Sequence, residues 1–282
     1  MQQYFWMTGP YLWLLPLGFV IGAYGTLIGA GGGFVLVPLL LLLYPKESPE
    51  IITSISLAVV FFNAASGSVA YARMKRIDYK SGIIFSIATI PGAILGALTT
   101  AYFQRWLFDL VFGILMITAS VYLMMYPGEE PETSAGLLQS SNFKSSRSLV
   151  DSSGSGYSFS YNPLLGTGLS LFVGYISSLL GVGGGFIHVP ILVRLLNFPV
   201  HIATATSHFV LAVMALTGSV VHIAMGTFSH GLRRTIVLAI GVIVGAQLGA
   251  SLSRRIHGDW IIRGLALALA LVGIRILFLA LS

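Results

Sequence analysis

The sequence predicts an all-α polytopic membrane protein made of two homologous repeats, each with about five hydrophobic segments and a glycine-broken short helix. Three observations predict it. Only 9% of the 282 residues are charged and 56% are hydrophobic, whereas soluble chains carry about 25% charged residues. Apolar segments follow one another along the whole chain, most of them close to the ~20 residues that span a bilayer. An eleven-residue string, Ile28 to Pro38 (IGAGGGFVLVP), returns 152 residues later as Leu180 to Pro190 (LGVGGGFIHVP), with seven positions identical.

The first half reads as apolar segments at roughly 11–28, 34–44, 51–72, 82–101 and 106–126, the second of them too short to cross alone. After residue 162 the pattern recurs at roughly 163–180, 186–196, 201–224, 232–252 and 260–281, again with a short second member. Further marks repeat as well: Gly67-Ser68-Val69 matches Gly218-Ser219-Val220, and Gly92 to Ala97 matches Gly245 to Ala250. The expected organisation is a membrane repeat over 1–126, a polar Ser/Gly-rich linker over 127–162 and a second membrane repeat over 163–282. The linker, with Glu129, Glu130 and Glu132, has too little apolar surface to fold alone. Met1 to Pro10 carries no charge and runs into a long apolar segment, so the N-terminus is expected to be retained. Trp106 and Trp260 open the last segment of each half, and Tyr4, Trp6, Tyr11 and Trp13 crowd the first, as rings anchored at headgroup level do.

A net charge of +6 would suggest nucleic acid in a soluble protein, but here it sets topology, so no nucleic-acid partner is expected and the lipid bilayer is. If all five segments per half change sides, Arg73, Lys75, Arg76, Lys80, Lys144, Arg147, Arg254, Arg255 and Arg263 share one face against Lys46, Arg105, Arg233 and Arg234. That arrangement makes the repeats inverted. If each glycine-broken pair counts as one crossing, the basic residues divide more evenly and the repeats become parallel; the bias favours inversion, weakly.

The doubled glycine break is the first candidate site. Without water in the hydrocarbon core, backbone groups freed by a break must be paired in the protein or face a cavity or ligand. Gly31, Gly32 and Gly33, with Gly183, Gly184 and Gly185, are expected to turn N–H groups toward one point, beside the positive end of the helix that follows. That combination prefers a small anionic substrate. Helix packing alone explains Gly18/Gly22, Gly92/Gly96 and Gly245/Gly249, spaced by four inside continuous spans, but does not ask for three glycines in a row. Downstream, Thr53, Ser54 and Ser56, then Thr204, Thr206 and Ser207, offer hydroxyl donors, although such groups as often bond their own helix. Asn63, His188, His208, His222 and Gln247 are further polar groups within apolar segments. Of these Asn63, His208 and Gln247 join Ser54, Ser56, Thr204, Thr206, Ser207 and the six glycines as the expected substrate-binding set.

All nine carboxylates fall in loops or near segment ends, so a midplane carboxylate relay or a carboxylate-built sodium site is not expected, and His is left as the buried proton carrier. Arg275 lies in an apolar segment but near enough to the end to snorkel, and Arg194, four residues after Pro190, either attracts an anion into the vestibule or reaches the interface, the latter being favoured. The chain has no cysteine, no G-x-x-x-x-G-K-[ST] loop and no H-E-x-x-H pair, which removes thiol chemistry, Cys-bound metals, direct ATP drive and zinc hydrolysis. No cofactor, metal site or catalytic residue is expected. Ala64-Ala65-Ser66-Gly67 with His208 or His222 loosely suggests an intramembrane serine hydrolase, but the duplication explains the Gly-Ser-Val match without catalysis.

Through Gly29 to Pro38, Ser54 to Leu57, Gly92 to Ala97, Gly181 to Pro190 and Ala203 to Ser207, the chain resembles the TauE/SafE family of sulfite and sulfonate exporters. The resemblance implies a multi-pass carrier in the inner, cytoplasmic membrane that moves small sulfur oxyanions or organosulfonates such as sulfite and sulfoacetate, often outward. The expected protein is therefore a secondary transporter working by alternating access between the two breaks, not an enzyme; an anion channel is the alternative, and homo-oligomerisation is open.

Overall fold

The computed structural model describes residues 11–125, 145–253, 255–256 and 258–281. Tyr4, Trp6, residues 127–144 of the linker, Lys144 and Arg254 lie outside the described residues. The first half contains α1 (Leu14–Ile28), the short α2 (Gly33–Leu43), α3 (Pro49–Arg73), α4 (Tyr79–Thr100) and α5 (Arg105–Met125). The second contains α6 (Pro163–Leu180), the short α7 (Gly185–Pro190) continued by a π-helical turn over Ile191–Leu195, then α8 (Val200–Ala224), α9 (Leu232–Leu252) and α10 (Gly258–Leu281). Each element has a counterpart of similar length in the other half. Among the described residues six helices, α3 to α6, α8 and α9, are long and apolar enough to cross a membrane.

Local sequence sets the boundaries. Ser48 precedes Pro49 and Asn162 precedes Pro163: each polar side chain accepts an N–H of the first turn, from Ile51 in one case and from Leu164 and Leu165 in the other, while the proline occupies a position that needs no N–H. At Ile28 and Leu180 the helices stop because Gly29 and Gly181 take left-handed φ of 80° and 69°. Side chains such as Ile87, Leu95, Val244 and Leu271 are exposed, a surface suited to lipid and costly in water.

The halves are interlocked. The first helix of each packs on the fourth of the other, α1 on α9 and α6 on α4. Glycines bring the backbones together. A Cβ added at Gly245 or Gly249 would overlap the carbonyl of Phe19 or Ala23, and one at Gly92 or Gly96 would overlap that of Leu171 or Tyr175. These contacts run in step, so α1 and α9 are parallel, as are α4 and α6. Counterpart helices instead meet antiparallel: Gly67 of α3 faces His208 of α8 while Gly218 faces Leu57, and in the α5–α10 pair Gly113 meets Leu277 while Ser120 donates to the Ala266 carbonyl at 2.7 Å. Ile55 lies on Gly231 and Ser66 on Ile243, so α3 runs parallel to α9 and hence to α1. The short α2 therefore carries the chain back between them.

Residues 145–161, which the sequence assigned to a solvated linker, form an antiparallel hairpin of β1 (Ser145–Val150) and β2 (Gly156–Tyr161). It is packed down rather than extended in solvent, because it does not fold alone. Phe159 and Tyr161 stack on Phe198 with ring centroids 4.3 and 5.1 Å apart. Arg76 pairs with Asp151 at 3.1 Å and Arg147 with Asp78 at 3.6 Å. The Tyr161 hydroxyl lies 2.6 Å from Ser81 Oγ, and the Ser152 N–H reaches the Met74 carbonyl at 2.9 Å. The hairpin thus bridges the end of α3, the start of α4 and the segment before α8. On the opposite face Arg234 pairs with Glu47 at 2.8 Å and sits over the Tyr44 ring, and Arg105 donates to the Leu41 and Glu47 carbonyls.

Candidate functional site

Each break begins where a glycine ends a helix and finishes where another starts one. Gly29, Gly31 and Gly32 have φ of 80°, 74° and 78°, and Gly181, Gly183 and Gly184 have 69°, 82° and 76°. Side chains resist that region, which explains three glycines among four residues. The breaks are buried and meet one another: Cβ atoms added at Gly33 and Gly185 would overlap the Val182 and Gly29 carbonyls, and those at Gly29 and Gly181 would overlap Thr204 and Thr53. Val60 and Leu211, themselves counterparts, pack over Gly31 and Gly183.

The backbone does not present all of its expected donors. Gly31 N–H bonds to the Gly25 carbonyl at 3.1 Å, beside Ala30 N–H at 2.9 Å, so it closes the end of α1 and is unavailable to a ligand. The first N–H groups of α2 and α7, around Gly33 and Gly185, have no partner within their own helices.

The hydroxyls divide into two sets. Ser54 and Thr204 bond back to the Ile51 and Val200 carbonyls at 2.8 Å, as Thr53 does to Pro49. Thr206 accepts the Asp78 N–H at 3.0 Å, helping to start α4. Ser56 and Ser207, counterparts of each other, are fully buried with hydroxyls that have no partner among the described residues. Those two are wholly unpaired, and Thr206, which only accepts here, still has its own hydroxyl proton.

A polar cluster lies beside the first break. Thr26 Oγ1 donates to Asn63 Oδ1 at 3.0 Å and lies 3.2 Å from His208 Nε2, and the Tyr71 hydroxyl donates to the Thr26 carbonyl at 2.7 Å. With its own proton on Asn63, Thr26 Oγ1 accepts from His208 Nε2–H. Gly67 leaves room for that ring, since a Cβ there would contact Nε2. The same places in the second half hold Ser178, Met214, Leu57 and His222, so the cluster is not duplicated. At the second break a small cavity of about 10 Å³, enough for roughly one water, is lined by Thr89, Gly183, Gly184, His188, Ser207 and Met214, among others. Thr26, Tyr71, Ser177 and His188 were not in the expected set; the available signal was their position, within a turn of a break or one turn beyond Asn63 and Gly67.

Gln247 is not part of this site. It is exposed on α9 and donates to the Ser66 carbonyl and hydroxyl at 2.7 and 2.8 Å, tying α9 to α3 on the outer surface. The same geometry removes the hydrolase reading. Ser66 Oγ donates to the Ile243 carbonyl at 2.8 Å, while His208 is engaged at Thr26.

Interlocked membrane helices meeting at two broken segments, with polar groups concentrated there, define the class: a multi-pass membrane transporter. Comparison with known proteins gives the family. The family model described as sulfite exporter TauE/SafE matches residues 14–276. The chain is 33% identical over 273 residues to the probable membrane transporter protein YunE of Bacillus subtilis, covering 94% of this chain and 96% of that one. It is 24% identical over 262 residues to the probable membrane transporter protein MJ0441 of Methanocaldococcus jannaschii, covering 87% and 89%. No solved structure gives a significant match. The chain belongs to the TauE/SafE family and is a membrane transporter, not an enzyme.

Proposed function

We propose that this transporter carries small sulfur-containing anions, such as sulfite, sulfoacetate or other organosulfonates, outward across the cytoplasmic membrane by alternating access at the two glycine breaks. The observation that carries this reading is the meeting of the breaks: Gly33 against Val182 and Gly185 against Gly29, in the middle of two interlocked halves. Antiparallel packing of counterpart helices supports inverted repeats, and in such carriers the substrate site lies at the repeat interface near the midplane. The breaks touch and the cavity between them and α8 is small, as expected of an occluded arrangement. Glu47, Asp78, Asp109 and Asp151 each pair with an arginine, in loops or within about a turn of a helix end, so they present little free negative charge to an anion at the breaks.

The alternation of α1 to α5 puts Arg73, Lys75, Arg76, Lys80 and Arg147 on the hairpin's face, against Lys46, Arg105, Arg233 and Arg234 on the other. Under the positive-inside rule the hairpin faces the cytoplasm. A carrier and a channel separate by counterflow. Proteoliposomes preloaded with unlabelled sulfite should take up labelled sulfite faster than empty ones; currents without exchange would replace the carrier by a channel.

A further inference from the structure

The two breaks differ in one chemically important respect. His188, on α7, is buried, and Ser170 Oγ lies 3.4 Å from its Nε2. Ser170 Oγ already donates its only proton to the Gly166 carbonyl at 2.7 Å, so it accepts from Nε2–H, which fixes the tautomer with a bare lone pair on Nδ1. Nδ1 has no partner among the described residues, and neither has Ser207 Oγ; both residues line the second-break cavity with Gly183 and Gly184. One cavity is thus lined by a residue with an unpaired acceptor and a residue with an unpaired donor. At the first break Leu36 stands where His188 does and Val242 where Thr89 does; the unpartnered imidazole nitrogen on that side is His208 Nδ1, in the Thr26–Asn63 cluster.

We propose that the substrate's oxyanion group binds at the second break together with one proton, held between an anion oxygen and His188 Nδ1, while Ser207 Oγ–H donates to another oxygen. The inference rests on the anion reading above and adds that the proton is obligatory. An unprotonated oxyanion would oppose its lone pairs to that of Nδ1; a proton placed between them, brought by the anion or taken from water, turns this repulsion into a charge-assisted hydrogen bond. The groups facing His188 do not supply that proton. They are Ser170 from α6, Phe85 and Thr89 from α4, and Ser207, Leu211 and Met214 from α8. Behind Phe85 lies Tyr161 of the hairpin, with its hydroxyl on Ser81, and one turn further the Asp78–Arg147 pair. Enlarging the cavity to take the anion requires Leu211 and Met214 to shift, and an unbranched Met does so readily.

The test is equilibrium binding of methanesulfonate and of sulfite to the full-length purified protein across about pH 5 to 8, a range chosen for imidazole titration. Methanesulfonate holds no exchangeable proton there, so any pH dependence belongs to the protein. Wild type should bind methanesulfonate about tenfold more tightly for each unit the pH falls, as one linked proton requires. His188→Gln should bind with no pH slope, and Ser207→Ala should weaken binding while keeping the slope. A flat wild-type profile, or an unchanged slope in His188→Gln, overturns the proton requirement and leaves the anion reading standing. Failure of wild type to bind either anion overturns both.

Discussion

At the residue scale, the breaks work because glycine alone combines positive φ with the closeness of their approach. Gly32 and Gly184 have φ of 78° and 76°, and Cβ atoms there would contact Ile21 and the Ser177 hydroxyl. Replacing either with Val, whose branched Cβ tolerates neither condition, is expected to abolish sulfite flux, measured in proteoliposomes matched for protein content. Thr26 links Asn63 to His208 through one hydroxyl. Thr26→Val would leave both partners buried and unpaired, an effect of about 1–3 kcal/mol, seen as a lowered melting temperature with the shape of the chain preserved. Much of this was legible in advance. Ser56 and Ser207, offered by the sequence only as candidate donors among others, are buried with unpaired hydroxyls, whereas Ser54 and Thr204 are spent on their own helices. Sequence spacing places Ser54 and Ser56, and Thr204 and Ser207, within a turn of each other on their two helices but does not reveal which carbonyl each hydroxyl finds first.

At the element scale, the helices were readable because their apolar length and Ser-Pro, Asn-Pro and glycine boundaries are local signals. The hairpin was not, because its stability is borrowed from Phe198, Phe85 and Ser81, distant in sequence. Asp151 is its main polar anchor. Burial alone would raise its pKa, but hydrogen bonds from Ser153, Arg76 and the Ser155 N–H outweigh this and bring it down to about 2. A carboxylate depressed in the folded state contributes stability above its ordinary value near 3.8, and that contribution is lost as the pH falls from there toward about 2. Hydrogen exchange of Gly156 to Tyr161 should therefore speed up, relative to the transmembrane helices, below about pH 4. Arg76→Ala should loosen the same segment at neutral pH, because it removes a buried partner of Asp151.

At the scale of the whole molecule, the two halves exchange their first and fourth helices, so neither half closes without the other. The repeat was visible in the sequence at offsets of 151 to 153 residues, and its glycine pairs were assigned to packing, which the close approaches bear out; which helix they pack against was not legible, since α1 pairs with α9 across most of the chain. Orientation is open to direct measurement because the chain has no cysteine. A single cysteine at the exposed Ser153 on the hairpin should react with an impermeant thiol reagent only from the cytoplasmic side, and one at the exposed Lys46 only from outside. Labelling of both from one side would contradict the crossing of α3 between them.

The central claim, that the anion passes between the two breaks, is tested most directly with Ser207→Cys and Ser56→Cys. Proteoliposomes holding either variant are treated with N-ethylmaleimide during turnover, freed of reagent and assayed for sulfite flux, with modification verified by mass. Flux should be present before treatment and lost after it in both variants, and retained in Ser66→Cys, whose side chain lies on the outer surface between α3 and α9. Undiminished flux through protein fully modified at residue 207 and at residue 56 would contradict the account.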